Sequence, residues 1–272
     1  MIQKAIDAIK RAKYLLITAG AGMGVDSGLP DFRGSEGFWR AYPVAKRLGL
    51  RFEELANPRW FFENPSLAWA FYGHRLHLYR DTKPHEGFFK LLEIAKSKED
   101  YFVFTSNVDG QFQKAGFLER KIEEVHGSIH YLQCSQPCSE DIWSAKDVQI
   151  AIDEEQFQAK EPLPRCFRCG MIARPNILMF GDFSWVEKRH AVQREYFESF
   201  LNRAKNLVVI EFGAGTAVPT VRMIGEFVAR RFNATLIRVN PRESEGADIE
   251  LAMGAKEAIE KIYEGLYGNR SQ

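Results

Sequence analysis

The chain has 272 residues, is 45% hydrophobic and 27% charged, and carries a formal charge of +1. At about 150 residues per domain this is one large domain, or one domain with an insert, with enough apolar material for a sizeable core. Near-even numbers of basic and acidic side chains argue against nucleic acid or an anionic membrane surface as the main partner. No apolar run approaches the roughly 18 residues of a membrane helix.

In chain order, Ile2, Ala5, Ile6 and Ile9 recur at helical spacing, which predicts a helix over 2–12. This charged, amphipathic start lacks the apolar centre of a signal peptide, so the expected location is the cytoplasm, where thiols stay reduced. An apolar strand at 14–18 then runs into a turn with glycine at 20, 22, 24 and 28, followed by Pro30-Asp31-Phe32-Arg33. A strand, a glycine turn and a helix start can hold a diphosphate on free backbone N–H groups. The third glycine, Gly24, comes one position early for G-x-G-x-x-G, which leaves either a different nucleotide grip or a plain tight turn.

Residues 35–80 read as helical and carry many aromatics, among them Trp39, Tyr42, Phe52, Trp69 and Tyr72, most of which are expected in a core. Further helices are predicted at 86–97, 187–203, 220–231 and 255–266, and strands at 101–105, 122–125, 177–180, 207–212 and 235–239. Most strand candidates are continuously apolar, as expected for parallel strands covered on both faces. The β-α-β rhythm predicts an α/β fold with a doubly wound, parallel, Rossmann-like sheet. Residues 127–175 break the rhythm and hold all four cysteines.

Those cysteines form two close pairs, Cys134-Ser-Gln-Pro-Cys138 and Cys166-Phe-Arg-Cys169. Two such knuckles can place four thiolates tetrahedrally about one Zn²⁺. Disulfides and four unrelated thiols are the alternatives, the first disfavoured in a reducing compartment. A site filled by four thiolates leaves no position for water, so the zinc would be structural.

Three more stretches complete an ordered set: Ser106-Asn107-Val-Asp109, Glu124-Val-His126-Gly127 and Pro175-Asn-Ile-Leu-Met-Phe180-Gly181-Asp182. With the glycine turn and the cysteine pairs, the chain resembles the sirtuins, the NAD-dependent protein deacylases, over nearly its whole length. The resemblance implies a single unit with a large Rossmann-like domain (1–34, 81–126 and 176–272), a helical insert (35–80) and a small zinc-binding domain (127–175).

It also implies roles. Ala21 and Gly22 would lie against the diphosphate of NAD, with Gly20, Asp26, Pro30, Trp39 and Ser106 as further cofactor contacts. Asp31, Phe32 and Arg33 would close over its reactive end, Asn107 would order the nicotinamide ribose and Asp109 would hold the carboxamide. His126 would be the general base, a task suited to an imidazole at neutral pH. His74, His77, His85, His130 and His190 have no comparable setting. Gly213, Gly215, Thr216, Asn240 and Ala255 would contact the adenosine side. Phe180, Gly181 and Asp182 would pair with the substrate peptide. Trp185 would narrow the acyl-lysine tunnel, dock a protein surface, or simply pack under the helix near Glu187.

The implied activity is deacylation of a lysine on a protein or peptide, yielding nicotinamide and O-acyl-ADP-ribose, with no nucleic-acid or membrane partner. Some segments depart from the usual pattern. Ser106 stands where sirtuins carry glutamine, and Gln133-Cys-Ser135 and Glu211-Phe-Gly-Ala-Gly215 are similar to a branch that transfers ADP-ribose to lipoyl-carrier proteins. Protein ADP-ribosyl transfer or NAD hydrolysis is therefore the alternative activity, and a non-catalytic NAD-binding module a third.

Overall fold

The structure, a computed structural model, describes residues 1–32 and 34–268. Eleven strands are named in chain order: β1 (Tyr14–Ala19), β2 (Asp100–Thr105), β3 (Ile122–Glu124), β4 (Gly127–Cys134), β5 (Trp143–Ser144), β6 (Ile152–Asp153), β7 (Gln158–Ala159), β8 (Ala173–Ile177), β9 (Leu207–Phe212), β10 (Thr235–Val239) and β11 (Ile249–Leu251). The main sheet has the order β11-β10-β9-β1-β2-β3, and every pair is parallel. It is the doubly wound α/β sheet expected. The chain leaves β1 toward β2 on one side and returns to β9 on the other, so a crevice opens where the loops after these strands part.

Among the described residues, eleven α-helices surround the sheets: α1 (Ile2–Arg11), α2 (Gly34–Ala41), α3 (Pro43–Arg47), α4 (Phe52–Leu55), α5 (Trp60–Glu63), α6 (Pro65–Asp81), α7 (Glu86–Lys96), α8 (Gln111–Ala115), α9 (Lys188–Arg203), α10 (Thr220–Arg231) and α11 (Ala255–Tyr267). Alternate side chains of each strand point to opposite faces, and the core divides accordingly. On one face Leu15, Ile17, Val103 and Ile210 pack with α1, α7 and α11. On the other, Leu16, Phe102 and Val209 meet Phe197 and Phe200 of α9 and Val228 of α10. A third core joins α2 to α6 with the small sheet β5-β4-β8. Within it the buried Trp69 donates its indole N–H to the Ala173 carbonyl at 2.9 Å, fastening α6 to β8. Sequence-local signals start α6: Asn64 accepts the Leu67 N–H at 3.1 Å and Pro65 takes the first turn.

Two sequence expectations need correction. The run 177–180 is not a strand of the main sheet. Only Ile177 is extended, as the end of β8, which pairs antiparallel with β4. Beyond it Leu178 N–H bonds to the His126 carbonyl and Phe180 N–H to that of Ala56, so no ladder is left to join. Conversely β11 joins the sheet beside β10 although its three residues carry little apolar signal.

Candidate active site

The crevice is a cleft of about 760 Å³, within the range of roughly 300–1,000 Å³ typical of ligand sites. Its floor is the glycine turn. Gly20 N–H bonds to the Phe212 carbonyl at 2.9 Å and Gly22 N–H to that of Gly213 at 3.0 Å. A Cβ on Gly22 would lie 2.6 Å from the Gly213 Cα, and Gly213 itself has φ +58°. Only glycine at both places lets the two loops touch. Residues Ala21–Ser27 then turn as a 3₁₀ helix.

The loop after β2 is tied to that floor. Asn107 Nδ2 donates to the Gly20 carbonyl at 2.8 Å, and Asn107 N–H to Thr105 Oγ1 at 3.0 Å. Asp109 is buried and accepts the Gln111 N–H at 2.9 Å. Burial pushes its carboxyl up to about 6. His126 follows β3, with its ring hydrogen-bonded to the Ser106 backbone. Burial holds its imidazole below the ordinary value, helped by the nearby His190, so it is a neutral base at pH 7.

Of the residues singled out from the sequence, the cleft brings together Gly20, Ala21, Gly22, Asp26, Pro30, Asp31, Phe32, Ser106, Asn107, Asp109, His126, Gly213, Gly215, Thr216, Asn240, Ala255 and Phe180. Arg33 lies outside the described residues. Trp39 is not in the lining: its indole N–H donates to the Leu50 carbonyl at 2.8 Å within the helical layer. Gly181, Asp182 and Trp185 are not in it either. The Asp182 carboxylate is buried against Arg174, and Trp185, just before α9, has its ring 5.5 Å from that of His190. Asp26 is occupied in holding the start of α11, accepting the Lys256 N–H at 3.1 Å.

The sequence reading missed the far wall. Tyr72, Arg75 and Tyr79 of α6 line the cleft together with Phe52. Their i, i+3, i+7 spacing puts them on one face of a helix, and a lone arginine in that aromatic stripe was the available signal. Arg75 is buried, sits 5.3–5.8 Å from the centres of Phe32, Phe52, Phe71, Tyr72 and Tyr79, and donates to Tyr79 Oη at 3.0 and 3.1 Å. Among the described residues no carboxylate reaches it within ion-pair distance. Phe32, held at φ +50°, stacks on Phe52 at 5.2 Å over this cation.

The four cysteine sulfurs lie within 4.8 Å of one another. Cys134 and Cys169 are 3.6 Å apart and Cys138 and Cys166 3.7 Å. Tetrahedral Zn–S bonds of about 2.3 Å separate sulfurs by about 3.8 Å, whereas a disulfide needs about 2.05 Å. The set fits a structural Zn²⁺ with no open position.

A family model described as the Sir2 family matches residues 20–216. An NAD-dependent protein deacylase of Aquifex aeolicus is 29% identical over 266 residues, covering 94% of this chain and 98% of the relative. Another of Aeropyrum pernix is 30% identical over 260 residues, 93% of each chain. Among solved structures, a mutant Sir2 homologue in complex with ADP-ribose superposes with a TM-score of 0.76 at 25% identity, covering 100% of this chain and 98% of that one. With the glycine floor, the histidine after β3 and the four-sulfur cluster arranged on this sheet, the chain belongs to the Sir2 family.

Proposed function

We propose that the protein is an NAD-dependent protein-lysine deacylase. One observation carries the reading: a neutral, half-buried histidine shares a single cleft with the glycine floor that can cradle a diphosphate. In this reading the sheet-bearing part (1–34, 81–126 and 176–272) holds NAD, the helical insert 35–80 supplies the acyl end, and the zinc module 127–175 braces the peptide side. When bound, NAD offers an anomeric carbon that exchanges nicotinamide for the acyl oxygen of a modified lysine. Asn107 and the Gly20–Gly22 turn orient the cofactor, Asp109 receives the carboxamide, and Phe32 excludes water from the reacting face. His126 would take the proton of a ribose hydroxyl so that it can attack the acyl carbon, and one water molecule would then supply the oxygen that releases the lysine amine. The products are free lysine, nicotinamide and O-acyl-ADP-ribose. Two segments similar to the ADP-ribosyltransferase branch are engaged internally: Gln133 bonds to Ser184 and Val186, and Glu211 to Arg238. The thiolate cluster suits the reducing cytoplasm.

Arg75 narrows the substrate class to acyl groups ending in a carboxylate. A buried guanidinium without an anion is costly, and a ligand carboxylate would offset that cost through charge-assisted bonds worth roughly 1.5–3 kcal/mol. The test is mass spectrometry of acetyl-lysine and carboxyacyl-lysine peptides incubated with NAD. O-acyl-ADP-ribose is expected, with Arg75→Met lowering kcat/KM for the carboxyacyl peptide on the order of 10–100-fold and sparing the acetyl one. ADP-ribose attached to the peptide, or intact NAD, would refute the deacylase reading.

A further inference from the structure

The inner wall of the cleft at Leu178, Met179 and Phe180 is a loop with no sheet or helix of its own. What fixes it lies behind it, in the zinc module. Gln133 and Arg174 are directly opposed on β4 and β8, one register step from the Cys134–Ala173 pair, so their side chains share a face. Both are buried. Arg174 donates to Asp182 with both terminal nitrogens, to the Ile177 carbonyl at 2.6 Å and to Ser184 Oγ at 3.0 Å. Both partners of this ion pair have fully buried side chains. Asp182 in turn accepts the backbone N–H groups of Met179 at 3.0 Å and Ser184 at 3.1 Å. Gln133 donates to the Ser184 carbonyl at 2.8 Å and accepts from Val186 N–H and Asn176 Nδ2, each at 2.9 Å.

Apart from short-range bonds from Arg174 Nε to the Pro175 carbonyl and from Gln133 Nε2 to the Cys134 carbonyl, these bonds end on residues 176–186, the chain on either side of Phe180. None reaches the cofactor floor, which is held by Asn107 and Gly213 instead. We propose that Arg174, Asp182 and Gln133 are positioning residues that hold the Leu178–Phe180 wall and thereby set affinity for the acyl-lysine peptide, leaving the affinity for NAD to the opposite side of the cleft. The clamp begins one residue from a cysteine of the four-sulfur cluster, so the small domain acts on the peptide half of the site. This rests on the deacylase reading.

The test separates the two substrates. Arg174→Lys keeps the charge but loses the two-pronged grip on Asp182, and Gln133→Leu keeps the volume but loses four hydrogen bonds. Each should raise KM for the acyl peptide about tenfold, with KM for NAD within twofold of wild type and one zinc per chain retained by elemental analysis. Ser184→Ala, a milder cut in the same network, should move the peptide KM in the same direction by two- to threefold. Equal loss of both affinities, or an unchanged peptide KM in Arg174→Lys and Ser184→Ala, would overturn the proposal. Wild-type enzyme inert toward every acyl peptide would instead remove the deacylase reading on which it rests.

Discussion

Replacing Asp109 by asparagine should make the folded protein more stable at neutral pH, at the expense of its cofactor site. The carboxyl is buried, and that burial pushes it up to about 6 from an ordinary 3.8. A folded-state value above the unfolded one means that the native protein binds the proton more tightly. Stability from this group is therefore fully present below about pH 4, falls as pH rises from about 4 to 6, and stays low above. At about 1.36 kcal/mol per unit, keeping the charge buried at pH 7.5 costs roughly 3 kcal/mol. Asparagine keeps an oxygen for the Gln111 N–H, the one bond that Asp109 Oδ1 accepts, and brings no charge. Arg75 and Lys114 lose a distant counter-charge, which trims the gain. Thermal unfolding should show the variant melting higher by about 6 °C at pH 7.5, at roughly 2–4 °C per kcal/mol. The advantage should shrink toward pH 4. A variant that melts lower than wild type at pH 7.5 would refute the burial argument, as would a gain that does not change with pH.

His126→Ala should lower deacylation by about 10²–10⁴-fold, with equilibrium binding of NAD close to wild type. Because burial holds the imidazole below its ordinary value of 6.5, the acid limb of wild-type kcat/KM should fall below pH 6.5, and a limb above it would show that the base is another group. Elemental analysis should find one zinc per chain. Chelation, or Cys166→Ser, should release the metal and lower the melting temperature, since structural zinc contributes directly to folding free energy; protein that is metal-free as purified yet fully stable would count against the tetrathiolate site.

Where side chains served one purpose, the sequence was readable. Leu15 to Ile17 and Leu207 to Ile210 are apolar because sheet faces cover them, and both became central strands. Ile177 to Phe180 is apolar for another reason: it packs on the helical layer and walls a cleft, and composition cannot separate that from a strand. The small sheet was invisible for the opposite cause. Its buried positions include Ser128, Gln133, Arg174 and Asn176, polar groups that satisfy one another only once folded. The glycine floor was legible only through the ordered set of motifs around it, since the glycine spacing by itself left a plain tight turn open. Arg75 was not, since its meaning depends on what surrounds it: five rings and, among the described residues, no acid within ion-pair distance. Trp39 sits within the right motif but on the outer side of it, and only the fold decides which way it faces.

The contact between Gly22 and Gly213 joins positions that lie far apart in the chain, and it changes what kinds of variation the site can tolerate. A side chain at either position meets the other's backbone, so neither can be enlarged first and relieved later by its partner; the pair behaves as one heritable unit. Variation that tunes which dinucleotide enters must come from the rim, where Thr216, Arg242 and Glu243 line the cleft and Thr216 donates to Glu243 at 3.0 Å. Those side chains can be exchanged one at a time. A library that randomises the rim should yield many folded proteins with graded cofactor preference, whereas one that randomises the two glycines should return glycine at both.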